Sequence, residues 1–347
     1  MNKRELLKEP IEHIDIKSFD STPVIEAMRK MSFSARETAD AAEIFMKMLK
    51  DPKCTIILTL AGSTSAAGCM HIYADLVKFN MVDAVVASGA SIVDMDFFEA
   101  LGFRHYKGRR DISDKRLREF YIDRIYDTFI DEDDLQECDR TIKEIADELE
   151  PRPYSSREFI WEMGKFLSVF SAKENSLVQA AFENNVPVFC PAFSDSSAGF
   201  GLVKHQWVNP EKHLTIDSVR DFLELTKIKM EAPVTGLFMI GGGVPKNFAQ
   251  DAVICAEILG YPVPMHKYAV QITVADVRDG ACSSSTLQEA CSWGKVDTQY
   301  EQMVYAEATT VLPLIASYAY HSKVWEKRER KQWSSLFGNK AESRIHP

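Results

Sequence analysis

The most constraining feature of this sequence is a series of apolar, β-branched runs that end in glycine and precede helical patterns. The first, CTIILTLAG at residues 54–62, has no polar alternation, which is typical of a strand buried on both faces of a parallel sheet. A helical stretch and a second run, MVDAVVASGA at 81–90, follow it. Two parallel strands joined by a helix form a βαβ unit, so the sequence predicts an α/β fold.

The same alternation resumes in the second half of the chain. Further runs with strand character are VPVFCPAF at 186–193, VTGLFMI at 234–240, YAVQITVAD at 268–276 and QMVYAEA at 302–308. We therefore predict a doubly wound, mostly parallel, Rossmann-like sheet in one domain over residues 51–335, with a two-domain division as the alternative. Residues 1–50 are predicted as a helical lead-in and 336–347 as a mobile tail.

Residues 103–156 interrupt the alternation with a dense set of charges. They include RHYKGRRDISDKRLREF and DEDDLQECDRTIKEIADELEPRP. The apolar residues in these segments have helical spacing, so we predict a helical insertion with a solvated outer face. A contact between subunits is the alternative role for that face.

Composition excludes several classes of protein. The 347 residues are 46% hydrophobic, and a net charge of -10 argues against a general nucleic-acid-binding protein. The seven cysteines form no CxxC pair, which indicates reduced thiols rather than a disulfide scaffold. The start, MNKRELLKEP, lacks the apolar region typical of a signal peptide, no run of 18 or more apolar residues exists, and the histidines form no HxH or HxxxH pair. These features predict a soluble, cytoplasmic protein with no membrane segment and no metal site.

Loops that follow the predicted strands are the candidate ligand sites, because doubly wound sheets bind ligands beyond the carboxyl ends of their strands. GGGVPKN at 241–247 opens a helix, where backbone amides can hold a phosphate. It matches neither GxGxxG nor a P-loop, so a simple tight turn is the alternative. Asp195 and Glu307 each follow a strand and are candidates to bind ribose hydroxyls. The alternatives are helix capping for Asp195 and a plain surface charge for Glu307.

Lys295 lies in EACSWGKVD at 289–297, just after a serine-rich loop. Its neighbours Ala290, Cys291 and Trp293 are apolar, and desolvation disfavours an ammonium and frees the amine lone pair. Such an amine can attack a carbon–nitrogen or carbon–oxygen double bond and form a Schiff base. The residues alone leave two interpretations open, a surface charge at a helix end and a buried nucleophile.

Several motifs together resemble the deoxyhypusine synthase family. EACSWGKV is accompanied by DGACSSS before it, VYAEATTVLPL after it and IGGGVPKN upstream, and NMVDAVVASGA and VPVFCPAFSDSSAG occur in the same order. The resemblance spans nearly the whole chain. It implies a homotetramer of Rossmann-like subunits with active sites shared between two subunits, and NAD as a catalytic redox cofactor.

The resemblance also implies a transfer of an alkylamine group. In this family spermidine is oxidised to an imine, the active-site lysine captures it with release of diaminopropane, and the butylimine passes to an acceptor amine and is reduced again. The acceptor is a lysine of a translation factor in deoxyhypusine synthase and putrescine in the homospermidine synthases of the family. Both acceptors are compatible with the motifs above.

Residue by residue, Lys295 matches the imine-forming lysine and Trp293 the tryptophan that packs on the polyamine. Glu289, Asp279 and Ser283 match further polyamine-site positions. The matched cofactor positions are Asp195, Gly241, Gly242, Gly243 and Ala308, with Glu307 where the family usually has aspartate. Ser63, Ser88, Gly89, Val274 and Ala275 fall at additional cofactor-loop positions.

The departures from the family concern the substrate. Asn247 stands where the protein-modifying enzymes have a histidine that helps to deprotonate the substrate amine, and asparagine cannot act as a base at neutral pH. Phe200 and Cys282 stand where aspartates pair with spermidine, and an acidic pair is reduced to Asp94 beside Met95. A buried ammonium without a partner costs several kcal/mol.

Two interpretations follow. In the first, other carboxylates hold the substrate cation, and the candidates are Asp94, Asp96, Asp276 and Asp279. In the second, the amine substrate is not the one the family uses. These departures favour a small acceptor such as putrescine over a protein lysine. A non-catalytic module that binds NAD or polyamine and an ordinary NAD-dependent dehydrogenase are the remaining alternatives.

Overall fold

The computed structural model describes residues 2–173, 175–280 and 285–338, and its strands follow the alternation predicted from the sequence. They are β1 (Cys54–Leu60), β2 (Ala84–Ala87), β3 (His105–Lys107), β4 (Ile122–Ile125), β5 (Thr128–Asp131), β6 (Pro153–Tyr154), β7 (Val188–Phe189), β8 (Thr215–Ile216), β9 (Val234–Ile240), β10 (His266–Thr273) and β11 (Val296–Tyr305).

The helices flank these strands along the chain. They are α1 (Lys3–Leu6), α2 (Thr22–Met28), α3 (Phe33–Lys50), α4 (Met70–Lys78), α5 (Phe98–Ala100), α6 (Asp114–Glu119), α7 (Glu132–Asp147), α8 (Ser156–Phe170), α9 (Leu177–Glu183), α10 (Ser197–Val208), α11 (Ser218–Glu231), α12 (Gly243–Ile258), α13 (Leu287–Ser292) and α14 (Ala308–His321). Two π-helical segments, Ser65–Cys69 and Ala90–Phe97, and two 3-10 turns, Val324–Lys327 and Trp333–Phe337, complete the set. No helix in the described ranges is both long and apolar enough to span a bilayer.

Six strands form one parallel sheet in the order β11-β10-β9-β1-β2-β7. The chain leaves β1 towards β2 and β7, and then returns to the other side of β1 with β9. The strand order therefore reverses between β1 and β9, where Leu60 pairs with Ile240 at the carboxyl ends. The parallel sheet with helices on both faces confirms the predicted α/β fold, and this reversal is the switch point at which doubly wound sheets generally bind ligands.

Two apolar layers cover the sheet, which explains the continuous apolar runs. Ile56, Leu58 and Leu60 of β1 belong to a core shared with α3, α4 and α14, while Ile57 faces a second core formed with α11, α12 and α13. Every residue of β1 is buried. A strand buried on both faces can carry no polar alternation, as the sequence indicated.

The prediction of a purely helical insertion at 103–156 is wrong. The segment holds α6 and α7, but also an antiparallel sheet in the order β3-β5-β4. Strands β4 and β5 form a hairpin whose connection includes Tyr126 in a left-handed conformation. Ile122 and Phe129 of this sheet pack with Leu117 and with Leu6 of α1 in a small satellite core. These strands have only three or four residues, which is too short for an alternation of apolar and polar residues to be recognised in a segment rich in charges.

The helix predicted after β1 begins differently from the expectation. It starts as the π-helical segment Ser65–Cys69, which turns at Gly68 with φ of 100°, and continues as α4. Neither Ser63 nor Thr64 caps it, so that part of the prediction is wrong. The Thr64 hydroxyl instead hydrogen-bonds the Tyr73 hydroxyl at 2.6 Å. Of the predicted mobile tail, residues 339–347 lie outside the described residues.

A buried ion pair joins α8 to α11. Arg157 Nε donates to Glu224 Oε2 at 2.6 Å, and Arg157 Nη2 donates to Glu224 Oε1 at 3.2 Å. The neighbouring Ser156 hydroxyl accepts a hydrogen bond from the backbone amide of Cys190 at 2.7 Å, immediately after β7. The pair therefore lies beneath the segment that leads from β7 to α10.

Candidate active site at the switch point

The loops that follow β1, β2 and β7 touch one another at the carboxyl edge of the sheet. The Ser91 hydroxyl donates to the Gly62 carbonyl at 2.8 Å and contacts the Ser88 hydroxyl at 2.9 Å. Gly89 packs so closely on the third loop that a Cβ there would lie 2.6 Å from Ser196 Oγ. Only glycine fits at position 89 without a shift. The predicted cofactor residues Ser63, Ser88, Gly89 and Asp195 thus occupy neighbouring loops.

The glycine loop after β9 is shaped to receive a ligand. Gly241 and Gly243 have positive φ angles of 73° and 62°, which other residues rarely adopt. A Cβ on Gly241 would lie 3.2 Å from Ala61, so the loop runs against the end of β1. Gly242 is the N-terminal cap residue of the 16-residue helix α12 and has no side chain of its own. A helix N-terminus beside a glycine loop suits a phosphate group.

The remaining cofactor candidates lie on two more loops at this edge. Glu307 is exposed at the N-terminal cap of α14, where its carboxylate accepts from the Thr309 hydroxyl, and Ala308 begins the helix. Val274 is exposed after β10, and the Ala275 amide donates to Thr273 Oγ1 at 3.1 Å. All six strands of the parallel sheet therefore present predicted cofactor residues at their carboxyl ends.

Asp195 is exposed and does not cap α10. Ser196 occupies the cap position, and Asp94 Oδ1 accepts the hydrogen bond from the Ser197 amide at 2.6 Å. The helix-capping alternative for Asp195 is therefore wrong. Its carboxylate remains accessible beside Gly89, which is compatible with the predicted ribose contact.

Lys295 is a largely buried amine. Its side chain is 14% exposed, its Nζ lies 2.5 Å from Asp251 Oδ1, and the same nitrogen lies 5.2 Å from the centre of the Trp293 ring. The Lys295 carbonyl accepts from the His266 amide at 2.9 Å, which places its backbone at the amino end of β11. The side chain is thus held against α12 on the face of the sheet, and the surface-charge interpretation is wrong.

Two residues around this amine were not predicted from the sequence. Asp251, on α12, is the ion-pair partner of Lys295. Lys246, also on α12, is fully buried, and its Nζ donates to Gln271 Oε1 at 2.7 Å and to the Ser285 carbonyl. The pKa of Lys246 is lowered to about 8, mainly by desolvation, with Glu289 opposing the shift and the nearby Lys295 contributing to it. A lysine on the apolar face of α12 was a signal that could have been noticed.

An acidic cavity of about 590 Å³ lies next to α13. Glu37, Glu289 and Glu301 line it together with Gln288, Gln302, Met303, Tyr305, Thr286 and Val277. Glu289 also completes a capping box with Thr286, whose amide donates to Glu289 Oε2 at 2.7 Å. Trp293 is 66% exposed beyond the same helix. A cavity with three carboxylates suits a cationic ligand.

Not all of the predicted substrate residues can be placed. Ser283 and Cys282 lie outside the described residues, and Asp279 is half-buried on the loop before them. Phe200 is 64% exposed on α10. Asn247 is half-buried on α12, four residues before Asp251. Residues four apart on a helix share a face, so Asn247 and Asp251 point in the same direction.

Two of the carboxylates considered as replacement cation partners already have protein partners. Asp96 is fully buried and accepts from Ser176 Oγ at 2.6 Å and from two α9 amides, so it fixes the start of α9. Asp276 pairs with Arg278 at 2.9 Å on the surface. Among the described residues no group of three or more potential ligands could hold a metal ion. Asp94 also accepts from the Ser197 amide but forms no ion pair among the described residues, so Asp94 and Asp279 remain as candidates.

The carboxylate of Asp94 gives a prediction about stability. Burial raises the pKa of Asp94 from 3.8 to about 6, so the folded protein binds this proton more tightly than the unfolded chain. Above pH 6 the buried charge therefore costs stability, and the cost disappears as the pH falls towards 4. Asn at this position keeps an oxygen that accepts from Ser197. We expect Asp94→Asn to raise the free energy of unfolding by about 2 kcal/mol at pH 7.

Urea unfolding at pH 7 and at pH 4.5 measures this effect, with Asp111→Asn on the exposed surface as the matched control. The gain from Asp94→Asn should shrink at the lower pH. A gain that is independent of pH, or a loss at pH 7, would contradict the assignment.

Comparisons with known proteins agree with this geometry. The profile of the family described as deoxyhypusine synthase matches residues 23–319. A "Deoxyhypusine synthase-like protein" of Coxiella burnetii is 68% identical over 343 residues, which cover 99% of this chain and 97% of that protein. A protein of the same description from Caulobacter vibrioides is 66% identical over 340 residues, covering 97% of this chain and 93% of its own length.

More distant relatives extend the comparison. A "Probable deoxyhypusine synthase 2" of Methanosarcina mazei is 38% identical over 311 residues, or 89% of each chain. A crystal structure of a candidate deoxyhypusine synthase from Entamoeba histolytica superposes with a TM-score of 0.59 at 20% identity, over 93% of this chain and 99% of that one, and supports the fold. The match over most of the chain and the level of identity show that this chain belongs to the deoxyhypusine synthase family.

Proposed function

We propose that the chain is an NAD-dependent aminoalkyl transferase that carries its transferred group as an imine on Lys295. The observation that carries this proposal is the largely buried Lys295 amine, held between Asp251 and the Trp293 ring. A lysine in such a position is oriented for attack on an imine carbon. The acidic cavity beside α13, the helix that precedes Lys295, supports a cationic amine as the substrate class.

The loops at the switch point fit NAD. They pack closely on one another at Gly89, and a Cβ on Gly243 would meet no atom within 4 Å, which leaves space beside that backbone. Gly241, Gly242 and Gly243 with the α12 N-terminus would hold a phosphate, and the exposed carboxylates of Asp195 and Glu307 would hold ribose hydroxyls. Ser63, Ser88, Gly89, Val274, Ala275 and Ala308 would line the site. Bound there, NAD would supply a hydride acceptor for the donor amine and later a hydride donor for the product.

The protein's own residues account for binding and transfer of the alkylamine. The acidic side chains of Glu289 and Glu301 offset the positive charge of a polyamine, and the exposed Trp293 ring offers an apolar surface beside Lys295. Lys295 Nζ then bonds to the imine carbon of the oxidised donor, and the bond from that carbon to the departing amine breaks. The alkylimine on Lys295 passes to an acceptor amine.

The acceptor is proposed to be a small diamine such as putrescine, with a protein lysine as the alternative. Asn247, on the α12 face that carries Asp251, offers no proton acceptor for a bulky protein substrate, and Phe200 presents an apolar surface where a carboxylate would bind spermidine. Phe200 lies with Val203 and Trp207 on an exposed apolar face of α10. That face supports the homotetramer expected from the family resemblance.

Borohydride trapping tests the proposal directly. The protein is mixed with NAD and a panel of diamines and polyamines, reduced, digested and analysed by mass. We expect an alkylamine adduct on the peptide containing Lys295, and a product mass that depends on the diamine added. Absorbance of the reduced cofactor should be transient.

Other outcomes identify the alternatives. Reduced cofactor that accumulates in proportion to substrate would indicate an ordinary dehydrogenase. NAD binding without any adduct or product would indicate a regulatory module, and would reject the proposal. Formation of an adduct that only a protein lysine can discharge would replace the small acceptor with a protein.

A further inference from the structure

The carboxylate of Asp251 faces both the reacting amine and open space. Asp251 Oδ1 lies 2.5 Å from Lys295 Nζ, while the Asp251 side chain is 38% exposed and the lysine side chain only 14%. The Asp251 side chain forms no other ion pair or hydrogen bond within residues 2–173, 175–280 and 285–338. Its second oxygen is therefore free to meet a ligand that enters from the exposed side.

The neighbouring groups are less suited to exchange a proton with Lys295. Lys246 is fully buried, and its Nζ is engaged with Gln271 and the Ser285 carbonyl. Glu289 is engaged with the Thr286 amide in the capping box of α13. Asn247, one helical turn from Asp251, has no group that takes up a proton at neutral pH. Among the residues that the structure describes, Asp251 is the one whose carboxylate forms an ion pair with the Lys295 amine.

Capture of an imine by a lysine requires a proton to move. The neutral amine nitrogen of Lys295 forms a bond to the carbon of the donor's protonated imine and loses one proton as it becomes a protonated imine itself. The departing amine gains one proton as its bond to the same carbon breaks. No electrons are gained or lost in this exchange, so a single group that accepts a proton and then donates it is sufficient.

We propose that Asp251 is a catalytic residue of this chain, which takes the proton from Lys295 Nζ as the imine is captured and returns it to the departing amine. The proposal rests on the imine chemistry proposed above for Lys295. It assigns to α12 two tasks, since the same helix begins at the glycine loop and presents Asp251 two turns later. The substrate amine would contact the exposed oxygen of Asp251.

A carboxylate that served only as an ion-pair partner would have the opposite effect on rate. An anion beside Lys295 stabilises its ammonium form, so removing the charge leaves more free amine and should accelerate attack. A carboxylate that transfers the proton cannot be replaced by an amide, and loss of general acid–base catalysis typically costs about 10²- to 10⁴-fold. The two roles therefore predict opposite changes in the rate of attack by Lys295 when Asp251 is replaced by asparagine: a faster rate for a simple ion-pair partner and a slower rate for a group that transfers the proton.

The experiment measures the single-turnover rate of borohydride-trapped adduct formation with NAD and spermidine between pH 7 and 9. The variants are Asp251→Asn, Asp251→Glu and, as a matched control on the exposed side of α12, Glu257→Gln. We expect Asp251→Asn to lower the rate about 100-fold or more at every pH, Asp251→Glu to recover part of it, and Glu257→Gln to match the wild type. Cofactor reduction should persist in Asp251→Asn, which shows that this variant is folded and binds substrate.

Two results would overturn the role of Asp251. An unchanged or faster adduct rate in Asp251→Asn, with a normal wild-type adduct, rejects proton transfer by Asp251 and leaves the function of Lys295 intact. No adduct in the wild type with any polyamine rejects the proposed function and this inference together.

Discussion

Lys295→Arg is expected to abolish transfer to the acceptor amine, with a fall on the order of 10³-fold or more, while oxidation of the donor amine continues. Arginine keeps the positive charge beside Asp251, so the carboxylate does not lose its partner. Its guanidinium stays protonated in proteins and cannot form an imine. The oxidised donor would then be lost to water, and reduced cofactor would accumulate instead of being reoxidised.

The measurement combines product mass with absorbance of the reduced cofactor over time. Lys165→Arg, on the exposed surface of α8, is the matched control and should behave as the wild type. Transfer that survives in Lys295→Arg at more than a tenth of the wild-type rate would contradict a covalent role of Lys295. Loss of cofactor reduction as well would indicate that Lys295 acts earlier, in binding or oxidation of the donor.

The central sheet could be predicted from the sequence because its strands are buried on both faces. Runs such as residues 54–60 have no other satisfactory environment in an α/β chain than the inside of the sheet. Strand β11 was predicted only from residue 302, although it begins at Val296, because its first half is polar and lies at the edge of the sheet. The short strands β4 and β5 are formed through their pairing with each other, and no alternation of apolar and polar residues within either strand predicts that pairing.

Site residues could be predicted from the sequence where the backbone conformation requires a particular residue type. They were harder to predict where contacts between distant parts of the chain determine the role of a side chain. The glycines at 241 and 243 need positive φ, so their motif carries information in itself. The contact of Lys295 with Asp251 joins residues 44 positions apart and exists only because α12 packs beside the start of β11. Asp96 looked like a ligand in sequence, but its burial against α9 gives it a structural role.

The buried pair of Arg157 and Glu224 connects stability with the position of Asp195. Both side chains are almost completely buried, and Glu224 also accepts from the Ser155 hydroxyl at 3.0 Å. The Arg157 guanidinium lies 4.5 Å from the centre of the Phe337 ring, so it has no access to bulk water on that side. The adjacent Ser156 bonds the amide after β7, from which the chain continues to Asp195.

Glu224→Gln should therefore destabilise the fold strongly. It keeps the size of the side chain but leaves the cation of Arg157 without an anionic partner in a buried place, which typically costs about 3–5 kcal/mol. Glu162→Gln removes the same charge from an exposed pair with Lys165 on α8, where about 0–1 kcal/mol is expected. Urea unfolding of both variants gives the two free energies.

Because the pair lies beneath the segment between β7 and α10, the loss of stability should be accompanied by weaker NAD binding. We expect affinity for NAD to fall in Glu224→Gln under conditions where the variant is still folded, since Asp195 and Ser196 then lose their support against Gly89. Isothermal titration of the folded variant measures this. Equal free energies of unfolding for Glu224→Gln and Glu162→Gln would show that Arg157 finds water or another partner, and that the buried pair does not hold the cofactor loop in place.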